Sequence, residues 1–285
     1  MSELDRYRLS FDSVAEIYER SRPTYAPEAV AWIAEQLPFG RVLDLAAGTG
    51  KLTRQLVALG ADVVAVEPGD EMRRVFRQVL PEVELHAGGA EAIPLPDSSV
   101  DTVTVAQAFH WFDRDAAFAE MHRVLRPGGG YAVLWNEDDH EDALMKAIDA
   151  VVDELRASVH RHEGDVDDML ASPLFSALEK RVFPFVEEID AGTAVDRVSS
   201  VSAVSGAAPE LRDRALEDVR NLVGTGTVRF PMSTTVVIAH RVRAPSRNAR
   251  LRCRRCVRAR AAGLSRCCDR AHRREARAAA RAHGA

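Results

Sequence analysis

Arg41-Val42-Leu43-Asp44-Leu45-Ala46-Ala47-Gly48-Thr49-Gly50 is the stretch whose reading decides the fold. Its first five residues are a short apolar run that enters a glycine-containing turn, which reads as a buried strand. Gly50 to Leu59 then reads as a helix, stopped by Gly60. A strand, a tight turn and a helix in that order aim backbone N–H groups at a ligand. Gly48 and Gly50 lack Cβ, so the backbone can come close to whatever sits there.

Reading outward, Asp62 to Glu67 is a β-branched run and a second buried strand, and Pro68-Gly69 turns into a helix over 70–80. Val83 to Ala87 is a third strand and Val100 to Ala106 a fourth. Arg114 to Leu125 is a helix ended by Pro127-Gly128-Gly129-Gly130, and Tyr131 to Trp135 is a fifth strand. Strands alternating with helices of this length give βαβ units, and right-handed crossovers then give a doubly wound parallel sheet. Upstream, residues 11–36 read as helical, with Phe11, Val14, Ile17 and Tyr18 at helical spacing and a second helix from Ala26 to Leu37. Downstream, Glu141 to Val159 and Pro209 to Val223 are helices. Lys180 to Glu188 and Val228 to Val242 are two late strands, a hairpin-like extension that brings the sheet to seven.

The chain has 285 residues, 46% hydrophobic and 28% charged, an ordinary globular composition. No stretch approaches a membrane span, and the charged start Met1-Ser2-Glu3-Leu4-Asp5-Arg6 has no signal-type apolar run after it, so a soluble cytoplasmic protein is expected. The net charge of −5 hides a split. Residues 1–240 carry 23 basic and 41 acidic side chains, whereas 241–285 carry 15 arginines and two acids. An acidic body argues against nucleic-acid binding, which needs clustered basic charge. All four cysteines (Cys253, Cys256, Cys267, Cys268) fall in the basic stretch, so the body has neither a disulfide framework nor a thiol nucleophile. That stretch lacks core-forming residues and is expected to be a disordered tail over 243–285. A zinc site and a basic arm are competing readings, but the cysteine spacing fits zinc poorly. Its arginine, alanine and cysteine bias is also what a shifted reading frame in GC-rich DNA yields.

Three ligands compete for the glycine turn. A Walker phosphate loop needs Gly four residues before the Gly-Lys pair and Ser or Thr after the Lys; those places hold Leu45 and Leu52. A dinucleotide fingerprint needs a third Gly where Thr53 stands, and Asp44 closely precedes the turn, where a pyrophosphate prefers no acid. Glu67, which ends the second strand, can accept hydrogen bonds from ribose hydroxyls of either a dinucleotide or an adenosyl ligand.

Val42 through Thr53 resembles the first motif of class I S-adenosylmethionine-dependent methyltransferases. Glu67 matches their ribose-binding acid. Gly89-Ala90-Glu91-Ala92-Ile93-Pro94-Leu95-Pro96 resembles the segment bordering the adenine. Ser99-Val100-Asp101 through Ala106-Gln107-Ala108-Phe109-His110-Trp111 resembles the fourth-strand motif. Glu120 through Gly129 resembles the helix and turn before the fifth strand. The likeness covers 11–136 well and 137–242 loosely, and is strongest to the small-molecule subgroup with ubiquinone/menaquinone-type and trans-aconitate-type methyltransferases. Family members often have Gly where Ala46 stands; Ala adds a methyl group and restricts positive φ.

The resemblance implies a Rossmann-like α/β fold, mostly parallel with an antiparallel C-terminal strand, and a methyltransferase domain over 1–242. Within it 1–37 is a helical lid, 38–136 the cofactor-binding core and 137–242 the substrate-side helices and last two strands. It implies S-adenosylmethionine as cofactor, with Tyr18, Arg22, Asp44, Ala46, Gly48, Thr49, Gly50, Glu67, Pro68, Met72, Ala90, Glu91, Ala106 and Gln107 as contacts. Arg22 or Tyr18 then meets the cofactor carboxylate, which a guanidinium suits bidentately. The acceptor is expected to be a small molecule, with nitrogen, oxygen or carbon receiving the methyl group. A non-catalytic adenosyl-binding or regulatory protein of the same fold is the runner-up. A nucleic-acid methyltransferase comes third, because no Asn/Asp-Pro-Pro-Tyr/Phe sequence follows the fourth strand.

Other candidates have a plain reading beside a sharp one. His110 is a candidate general base or substrate contact, or else it packs around the cofactor loop. Trp111, Trp135 and Asn136 are candidate walls of the substrate pocket, with Trp135 equally suited to the core. Glu137-Asp138-Asp139-His140 looks like a metal cluster but reads better as a solvated loop, since no second ligand group accompanies it, and no metal is expected. The oligomeric state carries no sequence signal.

Overall fold

A computed structural model describes residues 15–156 and 166–242. The basic tail over 243–285, with its cysteines, lies outside the described residues, as do Phe11, Val14 and the end of the helix expected to reach Val159. Among the described residues no helix is long and apolar enough to cross a membrane.

The strands are β1 (Arg41–Leu45), β2 (Asp62–Glu67), β3 (Glu84–Ala87), β4 (Val100–Ala106), β5 (Leu125–Asp138), β6 (Glu179–Asp190) and β7 (Thr227–His240). The helices are α1 (Ala15–Ser21), α2 (Pro27–Gln36), α3 (Lys51–Ala58), α4 (Asp70–Val79), α5 (Arg114–Val124), α6 (Ala143–Arg156), α7 (Val166–Leu170), α8 (Ala191–Ser199), α9 (Ser202–Ser205) and α10 (Pro209–Val223), with a 3-10 turn at Phe109–Trp111. One seven-stranded sheet has the order β3-β2-β1-β4-β5-β7-β6. β1 pairs in parallel with β2 and β4, and β4 in parallel with β5. β7 runs antiparallel to both β5 and β6. The fold is therefore the expected seven-stranded, doubly wound α/β sheet with an antiparallel C-terminal strand. The strand order reverses between β1 and β4, which opens a crevice at their C-terminal ends.

Apolar residues on successive strands divide between the two faces, as the period of two requires. Leu43, Leu45, Val103, Val105 and Val133 face α5, where Phe118 and Met121 are buried. Val42, Val63, Ala132 and Leu134 face α2 and α3, against Ile33 and Leu56. A third cluster joins α6, α8 and α10 to the outer ends of β6 and β7 through Ile148, Val198, Val219 and Phe230. It forms a helical cap beside the crevice.

The sequence expectation lacked the short helices α7 and α9, and it differs most from the structure at β5 and α8. β5 begins at Leu125, not Tyr131, so the Pro-Gly-Gly-Gly run lies inside a strand. The register with β4 shifts between Val100 and Thr102, a bulge that absorbs the extra residues. Arg126 fixes it by donating to both carboxylate oxygens of Asp101 at 2.9 Å, while Asp101 also accepts the N–H of Arg41. Helix α8 gave no clear signal because threonine and valine lower its helix propensity. Its start is fixed by the Asp190 carboxylate, which caps the N–H of Thr193, and its inner face by Ala194, Val195 and Val198.

Candidate functional site

The turn after β1 holds three residues in the left-handed region: Ala46 (φ 59°), Gly48 (φ 57°) and Gly50 (φ 89°). At Gly50 a Cβ would come within 2.6 Å of Leu80 and 3.0 Å of Phe76, so only glycine fits. At Gly48 nothing lies within 4 Å of the Cβ position, which leaves that side open for a ligand. Ala46 adopts the strained conformation that a glycine would take without cost.

Glu67 closes this turn onto the end of β2. Its buried carboxylate accepts the N–H of Gly48 at 2.9 Å and the N–H of Gly69 at 2.8 Å. The Thr49 hydroxyl is buried and has no hydrogen-bond partner among the described residues. Below the turn, Asp44 is buried, accepting from Thr53 Oγ1 at 2.6 Å and Thr104 Oγ1 at 3.3 Å. Burial dominates its titration and pushes the carboxyl up to about 7 against those two hydrogen bonds, with the nearby Glu67 charge adding to the rise.

The rest of the expected cofactor contacts gather around this turn. Met72 on α4 is buried against Ala15 and Val75, with Tyr18 of α1 packed on them. Burial raises the Tyr18 phenol most, while the Arg22 cation lowers it and the Glu67 charge raises it again. Pro68 is exposed, and its carbonyl accepts from Arg73. Ala90 is buried, and Glu91 accepts the N–H of Asp113 at 2.9 Å. Ala106 is half-buried at the end of β4. Gln107 has a φ of 57° and donates its N–H to Leu134 and its side-chain amide to the Asn136 carbonyl, joining the ends of β4 and β5.

The lid is strapped from three sides. Arg22 donates to the hydroxyl (2.8 Å) and carbonyl (3.0 Å) of Ser200 and lies over the Tyr18 ring. Burial is the main force lowering its cation's stability. Among the described residues no carboxylate pairs with it, so charge capacity is left for an anion. Arg197 on α8 is buried, donates to the Ser21 carbonyl and pairs with Glu187. From α3, Lys51 donates to the Glu19 carbonyl at 2.6 Å, and Arg54 pairs with the Glu19 carboxylate at 2.6 Å. Asn136 donates to the Thr24 carbonyl and accepts from Thr234, whose hydroxyl also receives the N–H of Ala26. Its amide thus anchors the lid, an unexpected use for a residue read as a pocket wall.

His110 and Trp111 stand on the 3-10 turn past β4, half-buried, with ring centroids 4.7 Å apart. Trp135 is half-buried against the α5-side core. Among the described residues no group of three metal-ligating side chains occurs. Ser200 and Arg197 were not singled out by sequence, and Lys51 was weighed only for a phosphate loop, because the partners of all three lie 32 to 178 positions away.

A glycine turn at the switch point, an acid ending β2 and an antiparallel β7 together define a class I S-adenosylmethionine-dependent methyltransferase. Residues 43–133 match the family described as a methyltransferase domain. An uncharacterized methyltransferase of Mycobacterium tuberculosis is 40% identical over 221 residues, covering 76% of this chain and 86% of the relative. This chain belongs to the methyltransferase family. It is also similar to the ubiquinone/menaquinone biosynthesis C-methyltransferase of Teredinibacter turnerae, 37% identical over 122 residues, which is 39% of this chain and 49% of that one. Among solved structures, a protein of Anaeromyxobacter dehalogenans provisionally named a type II methyltransferase superposes with a TM-score of 0.58 at 28% identity. That match covers 77% of this chain and 97% of the other.

Proposed function

We propose that the chain holds S-adenosylmethionine across the β1 turn (44–50), Glu67, the 89–92 segment and residues 106–107, and transfers its methyl group to a small molecule. One observation carries this reading: the buried Thr49 hydroxyl, without a partner among the described residues, stands in a turn where nothing lies within 4 Å of the Gly48 Cβ position. The residues present fit the group. Glu67 ends β2 beside the glycine turn, as an acceptor for ribose hydroxyls should, and Asp44 and Glu67 favour a cationic ligand over a phosphate.

Bound there, the cofactor supplies an activated sulfonium methyl group, so little covalent help is asked of the protein. The remaining work is alignment, exclusion of water and proton handling. Tyr18 and Arg22 on the lid are assigned to the cofactor carboxylate, and Met72 and Ala90 to the apolar walls of the adenosyl group. His110, with Trp111 beside it, is assigned to the acceptor as contact or proton acceptor. A lid strapped to α3, α8 and β7 excludes water once the ligand is in place. Trp135 is assigned to the acceptor side of the crevice.

Calorimetric titration with S-adenosylmethionine and S-adenosylhomocysteine tests the proposal. Binding of both is the expected result, and no binding by the wild-type chain ends it. Turnover against a panel of metabolites then identifies the acceptor.

A further inference from the structure

Tyr25 lies on the link between α1 and α2, and its neighbours on either side are tied to the sheet. The Thr24 carbonyl accepts from Asn136 Nδ2 at 2.9 Å, and the N–H of Ala26 donates to Thr234 Oγ1 at 2.9 Å. Tyr25 itself is clamped by Gln55 of α3. The Gln55 side-chain oxygen accepts the Tyr25 N–H at 3.1 Å, and its amide donates to the Tyr25 carbonyl at 2.8 Å. Asp44 pairs with Thr104 and Thr104 with Ala132, so Asp44 shares a sheet face with Ala132 and, four residues on, with Asn136. The link therefore crosses the face that Asp44 occupies, at the strand ends that carry the glycine turn.

Tyr25 is 5% exposed, and a phenol so buried normally finds a hydrogen-bond partner. Among the described residues the Tyr25 hydroxyl has none. A hydrogen bond left unmade in a buried site is a cost that a ligand can remove. Burial pushes the phenol well above its ordinary range, Tyr18 and Asp44 raise it further and the Arg22 cation opposes them, so the group stays an O–H donor at neutral pH. Three residues upstream, Arg22 uses Nε and Nη2 on Ser200, which leaves other N–H groups of its guanidinium. The lid thus presents donors, and the strand ends present the carboxylates of Asp44 and Glu67. A ligand end that has both a carboxylate and an ammonium group complements these two surfaces.

We infer that Tyr25 contacts the ligand, its hydroxyl donating to the carboxylate of the cofactor's amino-acid end, and that Gln55 is the positioning residue that holds it there. The identity of the ligand rests on the methyltransferase reading. Gln55 stands on the helix that follows the glycine turn, so its two hydrogen bonds fix the lid's phenol relative to that turn.

The test is calorimetric titration of the full chain with S-adenosylhomocysteine, which has the carboxylate, and with methylthioadenosine, which lacks it. Tyr25→Phe should weaken S-adenosylhomocysteine by about tenfold or more and leave methylthioadenosine unchanged. The thermal midpoint of the free protein should hold, because the hydroxyl removed has no partner there. Gln55→Leu should weaken S-adenosylhomocysteine in the wild-type background and add nothing further to Tyr25→Phe, as expected of two residues that act through one contact. Undiminished S-adenosylhomocysteine affinity in Tyr25→Phe, or equal losses for both ligands, overturns the inference. Fully additive losses end the positioning role of Gln55. If the wild-type chain binds neither ligand, the cofactor reading falls and the inference with it, whereas binding by the wild type that Tyr25→Phe leaves unchanged sinks the inference alone.

Discussion

The Glu67 carboxylate accepts the N–H of Gly48 at 2.9 Å, so the acid that ends β2 holds the glycine turn that follows β1. One side chain thus supports the loop and, in the proposed function, reads the ribose. Glu67→Gln replaces one acceptor oxygen with an amide donor that faces a backbone N–H. We expect a stability loss of about 1–3 kcal/mol, the cost of leaving a buried donor without its acceptor. S-adenosylhomocysteine affinity should fall at least about tenfold by calorimetry. An unchanged affinity with a lowered thermal midpoint would restrict Glu67 to loop support.

Asp44 gives the apo protein a pH signature. Its carboxyl is raised from 3.8 to about 7 in the fold. Below about pH 4 both folded and unfolded chains are protonated there, and between about 4 and 7 only the unfolded chain ionises. The residue's contribution to stability therefore falls as pH rises through this window, and the penalty is complete above about 7. The shift corresponds to at most about 4 kcal/mol. Asp44→Asn should raise the apo thermal midpoint at about pH 8 and change it little at about pH 4. A cationic ligand favours ionised Asp44, so wild-type affinity for S-adenosylmethionine should rise from about pH 6 to about pH 8. A pH-independent affinity would disconnect Asp44 from the ligand charge.

Ala46 sits at φ 59° without need of its methyl group. Ala46→Gly should stabilise the fold by about 0.5–1 kcal/mol, the left-handed penalty less the added chain entropy of glycine. Denaturant unfolding with an unchanged slope reads this directly. A destabilised variant would mean that the methyl group packs against something that offsets the strain.

Arg22 separates the two ends of the cofactor. S-adenosylhomocysteine has a carboxylate, and methylthioadenosine lacks it. Arg22→Gln should weaken the first by about tenfold or more and leave the second unchanged. Equal losses for both ligands would make Arg22 a strap between the lid and Ser200, and no more.

Much of the sheet was legible before the structure. β1, β2 and β4 have the spans that their apolar runs predict, because a buried parallel strand needs little beyond β-branched content and a turn at each end. Helix α10 was equally plain from its apolar stripe, opened by Pro209. β5 was read too short, because proline and three glycines normally end an element. Only pairing with β4 and β7 shows that they continue it. Helix α8 was missed because its stability comes from packing under α1 and α10, where tertiary contact overrides weak propensity.

By itself the sequence determined most strands of the sheet, the glycine turn, the acid at its side and the class of enzyme, because each rests on residues close together along the chain. Tertiary structure alone decided that Arg22 meets Ser200 and that Asn136 anchors the lid. These relationships join segments 98 to 178 residues apart, and local spacing carries no record of which distant partners folding brings within hydrogen-bond reach.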